Sequence, residues 1–400
     1  MRAVRLLWTS GTHLALQWLG VSESPMALRT KARQQVTKTL TSCLFASIVL
    51  LGTMVLSAEA TQYRIRTLGA MAGNGYSRAT GINSSGVVVG FSSTTYAPKG
   101  GKACYWDSTG VHSLGTSLSG ANKIAINDQG DIAGGVYVWR GGVRYTLPQL
   151  LPSYGKNTFT DINSAGDVAG YSLFDYPATT NTHACLWDGD GLHDIGVAIT
   201  GMANSTAYGI NDLGQIVGCS DNNAPERGYV WQEGTACFLN PLQGYYASCA
   251  YEINNSSAIV GYSRKTGNEG WESYNHYQAC VWRNGQVVDL GVSGQCTMAR
   301  DINSSGVVVG YAFNYPTPFI YDAVVWENDV ATTLPDLGGL YCVAQAINDS
   351  GWIVGEASDS NNLHYAVVWE PVPEPSSLLA VVCGLGGILW RQRRCRRRSA

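Results

Sequence analysis

Seven times along the chain, one pattern of apolar and polar positions returns. It runs through a small residue, Ile-Asn, a polar turn that usually holds Gly, then two or three aliphatic residues and a second Gly. The first copy is Gly81-Ile82-Asn83-Ser84-Ser85-Gly86-Val87-Val88-Val89-Gly90, and the others centre on Asn127, Asn163, Asn211, Asn254, Asn303 and Asn348. Their spacings are 44, 36, 48, 43, 49 and 45 residues. A tryptophan follows each copy: Trp106, Trp139, Trp187, Trp231, Trp282, Trp326 and Trp369. Seven of the twelve tryptophans thus hold one repeat position and belong to the architecture.

Short aliphatic bursts bounded by Asn and Gly predict strands joined by tight hairpins. The first strand of each repeat ends at Ile-Asn, and Asn with the turn Gly is expected to supply the positive-φ residues of the hairpin. The second is the aliphatic run, the third carries an Ala-x-x-Trp element such as Ala103–Trp106, and the fourth follows a Gly-bearing turn, as in Val111–Leu114. Four strands in about 44 residues, repeated, predict an all-β, seven-bladed β-propeller. The last repeat meets Pro371 soon after Trp369 and lacks a fourth strand, whereas Tyr63–Gly69 reads as a fourth strand without a blade. The N-terminal strand is therefore expected to complete the last blade and close the ring, removing open edges.

Composition agrees with a packed repeat protein: 47 glycines, 45% hydrophobic residues and only 14% charged ones exclude disorder. Much of the glycine is expected to punctuate turns. The net charge of −3 divides into three parts. Residues 1–60 hold six bases and two acids, residues 61–371 fourteen and twenty-six, and residues 372–400 six and one, so that 4 − 12 + 5 = −3. An acidic body argues against nucleic acid as a partner.

The basic ends carry targeting patterns. Behind Met26, the expected true start, lie Arg29, Lys31, Arg33 and Lys38, then the apolar run Cys43–Leu56, then Ala58-Glu59-Ala60. This is a secretory signal with cleavage after Ala60, which calls for signal peptidase. The other end reads Val372-Pro373-Glu374-Pro375, an apolar run Leu378–Trp390, then six arginines between Arg391 and Arg398. In this order it resembles the PEP-CTERM sorting signal. That resemblance implies transient anchoring in the inner membrane of a Gram-negative or related bacterium, arginines inside, and an exosortase-type protease that releases the body to the surface or matrix. The repeats resemble the HAF family of probable extracellular repeats, with His183-Ala184-Cys185-Leu186-Trp187 the nearest copy of the element that names it. The domain plan is thus 1–60, 61–371 and 372–400.

With strands alternating in direction, the stereotyped hairpins share one face and the variable connections share the other, where binding usually resides. Candidate ligand-binding residues on that variable face are Tyr96, Tyr176, Trp271, Tyr274, Tyr277 and Tyr315, with Phe313 and Tyr321 beside them. Aromatic planes among amides and carboxylates suit sugar rings, though they also serve to pack their own loops. Asp161, Glu252 and Asp301 share the position two before the repeat Asn. They are placed to face a central channel and hold a cation, or to bond a neighbouring blade's backbone. Three histidines, His183, His276 and His364, precede third strands in alternate blades, too far apart for one tetrahedral metal site. Cys104, Cys185 and Cys280 read as core residues, and Cys237 with Cys249 is a conceivable disulfide.

No catalytic motif, cofactor motif or metal-ligand spacing stands out. The function expected is therefore a non-enzymatic surface or matrix protein that binds extracellular polysaccharide or another surface protein. The alternatives are a polysaccharide hydrolase or lyase working through Asp161 and Asp301, and a purely structural envelope protein.

Overall fold

A computed structural model describes residues 61–373, apart from 97–100, 119–120, 122, 151–156, 176–180, 200–203, 222–224, 270–271 and 315–319. The signal residues Ala58 and Ala60, and Glu374 and Pro375 of the sorting motif, lie outside the described residues; Val372 ends the last strand and Pro373 follows it.

Each repeat folds as a four-stranded antiparallel meander. In the first, Tyr76–Ile82, Val88–Ser93, Lys102–Asp107 and Gly110–Ser117 pair in sequence order. Four further sheets have this form, with first strands Ile124–Ile126, Asn157–Ile162, Asn204–Ile210 and Ala247–Ile253. The last two repeats begin at Cys296–Ile302 and Gly338–Ile347 and form two four-stranded halves of one larger sheet, joined by a parallel pairing at Tyr321 and Tyr341. The fourth strand of the final half is Gln62–Thr67. It lies antiparallel to His364–Val372 with Gln62 opposite Val372 and Thr67 opposite Val367. Arg64 and Arg66 bind Glu370 across this seam at 2.8 and 3.0 Å.

The repeat asparagine has a different job from the one expected. None of the seven has a positive φ; that conformation belongs to the turn Gly three residues on, as at Gly86 (φ +80) and Gly306 (φ +84), and to Ser257 (φ +60) where Gly is replaced. The Asn side chain is instead a staple. Its Oδ1 accepts the backbone N–H four residues ahead, as from Val87 at 2.9 Å and Trp352 at 3.0 Å. Its Nδ2 donates to the backbone carbonyl of the next repeat's Asn. These bonds, 2.9 to 3.4 Å long, run from Asn83 through Asn127, Asn163, Asn211, Asn254 and Asn303 to Asn348, and from Asn348 back to Asn83. All seven side chains are buried, where a satisfied polar network holds one arrangement. The cycle is closed.

The second Gly of the motif is likewise not a turn residue. Gly90, Gly170, Gly218, Gly261, Gly310 and Gly355 lie within second strands, and a Cβ at any of them would overlap a carbonyl oxygen of the adjacent first strand. That first strand carries a bulge beside each of these glycines, as between Ala79 and Gly81. Bare glycine lets the two backbones approach.

Packing between repeats uses the tryptophan. Trp106, Trp139, Trp187, Trp282, Trp326 and Trp369 each donate Nε1 to a carbonyl at or beyond the preceding repeat's fourth strand, as Trp369 does to Pro335 at 2.7 Å. Trp231 is the exception, its Nε1 buried without such a partner. The matching segment there is a 3-10 turn, Gly196–Ala198, whose neighbouring carbonyls of Ile195 and Gly196 already accept Ala198 and Ile199. The core consists of clusters shared between consecutive repeats. In one of them Ala79, Val88, Cys104 and Trp106 of the first repeat meet Val354, Ala366 and Val368 of the last. The seam is packed like any other junction.

Candidate functional site

Two groups of side chains meet on the inner face of the ring, one at the first strands and the other shared among first, second and third strands. Nearer the asparagine cycle, Lys123 Nζ lies 2.7 Å from Glu252 and 3.7 Å from Asp161, three repeats and one repeat away in sequence order. Burial works against the Lys123 ammonium, but Asp161, Glu252 and Asp301 together raise its pKa above the ordinary lysine value. Glu252 is pushed well above the carboxylate range, by burial first and by the Asp161 charge second. Burial also raises Asp301.

The three acids, placed either to hold a channel cation or to bond a neighbouring repeat's backbone, are thus brought together around Lys123. Their remaining oxygens are committed to backbone. Asp161 accepts Ile210 N–H of the next repeat at 2.9 Å, and Asp301 accepts Ile302 and Ile347 N–H at 2.7 and 2.8 Å. No group able to hold a metal ion occurs among the described residues. Lys123 stands four before its Asn, where five of the other repeats place a buried Ala and one a Phe, and that substitution is the signal that betrays it.

Toward the variable connections the inner face turns aromatic. Tyr208 touches Tyr251 (ring centroids 5.3 Å apart), Tyr251 touches Tyr262 (5.6 Å), and Tyr262 touches Tyr277 (5.1 Å). The series crosses to the next repeat through Tyr277 and Phe313 (6.4 Å), then Phe313 and Tyr321 (5.5 Å). It continues from Tyr321 to Tyr341 (5.1 Å), on to His364 (5.1 Å), across the seam to Tyr96 (4.2 Å), and ends at Tyr76 (6.3 Å). One unbroken arc of rings therefore spans the fourth to seventh repeats and returns to the first.

Charge lines this arc. Arg300 stacks on Tyr251 at 4.6 Å, and Arg78 on Phe91 at 4.8 Å. His364 Nδ1 lies 2.6 Å from Glu356. Burial pulls the Arg78 guanidinium below its ordinary value, opposed by the nearby Glu356 carboxylate. Burial and then Glu356 raise Tyr96.

Of the residues proposed from the sequence, Tyr96 is 45% exposed, next to last in the arc, and Tyr277 is half-buried within it. Phe313 is buried and Tyr321 half-buried, so these two form the arc's packed middle. Tyr176, Trp271 and Tyr315 lie outside the described residues, as does the Tyr274 side chain. Sequence reasoning missed Tyr208, Tyr251, Tyr341, Arg78 and Arg300, because it looked for the site in loops while these sit in strands. The available signal was the position three before each Asn, which reads Thr80, Ile124, Thr160, Tyr208, Tyr251, Arg300 and Gln345.

The three histidines have separate partners: Asp194 for His183, Gln278 for His276 and Glu356 for His364. The eight described cysteines are free. Cys104, Cys185 and Cys280 are buried in the core, and Cys249 neighbours Cys219 rather than the exposed Cys237. The conceived Cys237–Cys249 bridge does not form.

A model of a family described as a protein of unknown function (DUF3466) matches residues 239–365. No curated protein matches the sequence. Similar solved structures include a streptogramin B lyase, at 10% identity and TM-score 0.48, covering 78% of this chain and 98% of that one. The β-propeller domain of the Trilobed protease from Pyrococcus furiosus has 10% identity and TM-score 0.48, covering 74% and 96%. A gluconolactonase from Xanthomonas campestris has 11% identity and TM-score 0.40, covering 79% and 93%.

Proposed function

We propose that this chain is an exported, non-enzymatic, seven-bladed β-propeller that binds extracellular polysaccharide through the aromatic arc. The arc carries the proposal. Ten rings in continuous contact, nine of them tyrosine or histidine with a polar atom beside a flat apolar body, form an elongated platform. A polymer with repeating flat rings matches that shape better than a small metabolite.

The state of the acids favours binding over hydrolysis. A glycosidase needs one carboxyl to give a proton and a second, free one to act as nucleophile or base. Here Asp161 and Asp301 are spent on backbone N–H groups and Glu252 on Lys123. On the same proposal the ends are addresses: a secretory signal cleaved after Ala60, and a PEP-CTERM-like tail from Val372 that passes the HAF-like body through the inner membrane stage to the surface.

A glycan screen of the purified protein, repeated with Tyr96→Ala and Tyr341→Ala, tests the binding claim. Retained glycans whose affinity drops at least tenfold in both variants are expected. Turnover of a retained glycan that is abolished by Asp301→Ala would replace this proposal with the enzymatic one.

A further inference from the structure

Arg300 is the least explained side chain of the inner face. It stands where the other repeats carry Thr, Tyr, Ile or Gln, and the guanidinium of this half-buried residue stacks on Tyr251. Nε donates to Gln345 Oε1 at 3.4 Å. No carboxylate lies within ion-pair distance of it among the described residues. Its next neighbour in sequence, Asp301, turns both oxygens to backbone N–H groups. Its electrostatic surroundings are instead the hydroxyls of Tyr311, Tyr251, Tyr341 and Tyr208. Taking a guanidinium out of bulk water without a counter-charge is costly, and a ring junction that needed only packing is served by uncharged Thr, Tyr, Ile or Gln in the other repeats.

Arg78 flanks the same arc from the other side of the seam, stacked on Phe91 and within the electrostatic reach of Arg300. The Glu356 carboxylate, whose charge acts on Arg78, is also hydrogen bonded to His364. The acids further down the inner face are held by Lys123 and by backbone. Over the whole body, 26 acids outnumber 14 bases and repel polyanions at long range, so an anion reaching the arc has to be recognised by a local device.

We propose that the inner edge of the aromatic arc is a subsite for the carboxylate of an acidic sugar, with Arg300 as its anchor and Arg78 as a second contact. The inference rests on the glycan-binding function proposed above and adds the chemical class. A guanidinium presents two parallel N–H donors to a planar carboxylate, a fit that an ammonium does not reproduce. The adjoining tyrosine faces take the flat body of the same residue. A uronic acid offers both features on one ring.

The test compares oligomers of galacturonate, glucuronate and mannuronate with their methyl esters, which keep the ring and lose the charge, in calorimetric titrations of the full protein. At least one acid is expected to bind tenfold or more tighter than its ester. Arg300→Gln should reduce that preference to within twofold while leaving affinity for the ester in place. Arg300→Lys should recover only part of the preference, and Tyr96→Ala should weaken acid and ester alike. Acid and ester bound equally by the native protein, or a preference that survives Arg300→Gln, overturns the subsite and leaves glycan binding standing. Binding of neither acid nor ester, with neutral glycans also ignored, sinks both. Unfolding midpoints of all variants separate lost recognition from lost folding.

Discussion

Asn348 donates through Nδ2 to the backbone carbonyl of Asn83, 3.0 Å away and 265 residues distant in sequence. This bond closes the cycle of asparagines, and its Oδ1 meanwhile holds the Trp352 N–H. Asn348→Ala leaves the half-buried Trp352 N–H without its acceptor and takes from the Asn83 carbonyl the second of its two donors, the Gly86 N–H remaining. One stranded group costs about 1–3 kcal/mol, so a loss of about 2 kcal/mol is expected in urea unfolding. Asn348→Asp keeps the acceptor but sets a carboxylate against a carbonyl, and it should be no better tolerated. A loss below about 1 kcal/mol would mean that the strand pairing of Gln62–Thr67 alone closes the ring.

Lys123 makes the inner face depend on pH. Removing it in Lys123→Met leaves Asp161, Glu252 and Asp301 without their cation. Breaking a buried pair costs about 3–5 kcal/mol. Because the Lys123 side chain is nearly a third exposed, about 2 kcal/mol at neutral pH is the expected loss after allowing for screening. Glu252 and Asp301 have folded pKa values raised above the unfolded ones. Folding therefore favours their protonated forms: their contribution is present below the ordinary carboxylate range and is lost as pH rises through the raised values. The Lys123 pKa is raised too, so its stabilisation is full below the ordinary lysine value and fades only in strong alkali. The penalty of Lys123→Met should hence shrink as pH is lowered from neutrality toward about 4. Denaturation at several pH values measures this, and a penalty that grows on acidification contradicts the assigned directions.

The cysteines predict a labelling order. Burial pushes the Cys104, Cys280 and Cys342 thiols up to about 12. At pH 8 about one such thiol in ten thousand is ionised. Cys237 is exposed on a fourth strand. Brief iodoacetamide treatment of the native protein should mark Cys237 first and leave Cys104, Cys280 and Cys342 intact until denaturant is added. Peptide mass mapping reads the outcome. A Cys237 that labels only after reduction would revive a disulfide.

The repeat was legible because its residues recur: seven copies of Asn, Gly and Trp reveal the strands, the hairpins and the complementary missing strand at the two ends. The inner face was not legible, for a physical reason. Its members sit at positions that differ from repeat to repeat. Tyr208 and Tyr251 stand three before their Asn, Tyr341 seven before its own, and His364 at the start of a third strand. What joins them is proximity across repeats, as between His364 and Tyr96, and periodicity carries no such information. Lys123 was hidden in the same way, because its partners Glu252 and Asp161 lie on other repeats.

Two glycines of one repeat, alike in the sequence, should respond differently to the same substitution. Gly306 occupies the hairpin with φ +84 and open space where a Cβ would go. Gly306→Ala therefore meets only the left-handed backbone cost, about 1–2 kcal/mol. Gly310 has ordinary strand conformation, but a Cβ there would overlap the Met298 carbonyl oxygen across the bulge beside Ala299. Neither backbone can yield without disturbing Arg300 and the Asp301 bond to Ile347, which lie on the same strand. Gly310→Ala is expected to cost about 3 kcal/mol or more, in the range of severe overpacking. It should also weaken any ligand held by the arc, whereas Gly306→Ala should leave binding unchanged. Comparing unfolding midpoints and glycan affinity of the two variants checks both halves. Equal losses would show that the second glycine is turn punctuation after all, and that the close approach of the first two strands has no part in shaping the inner face.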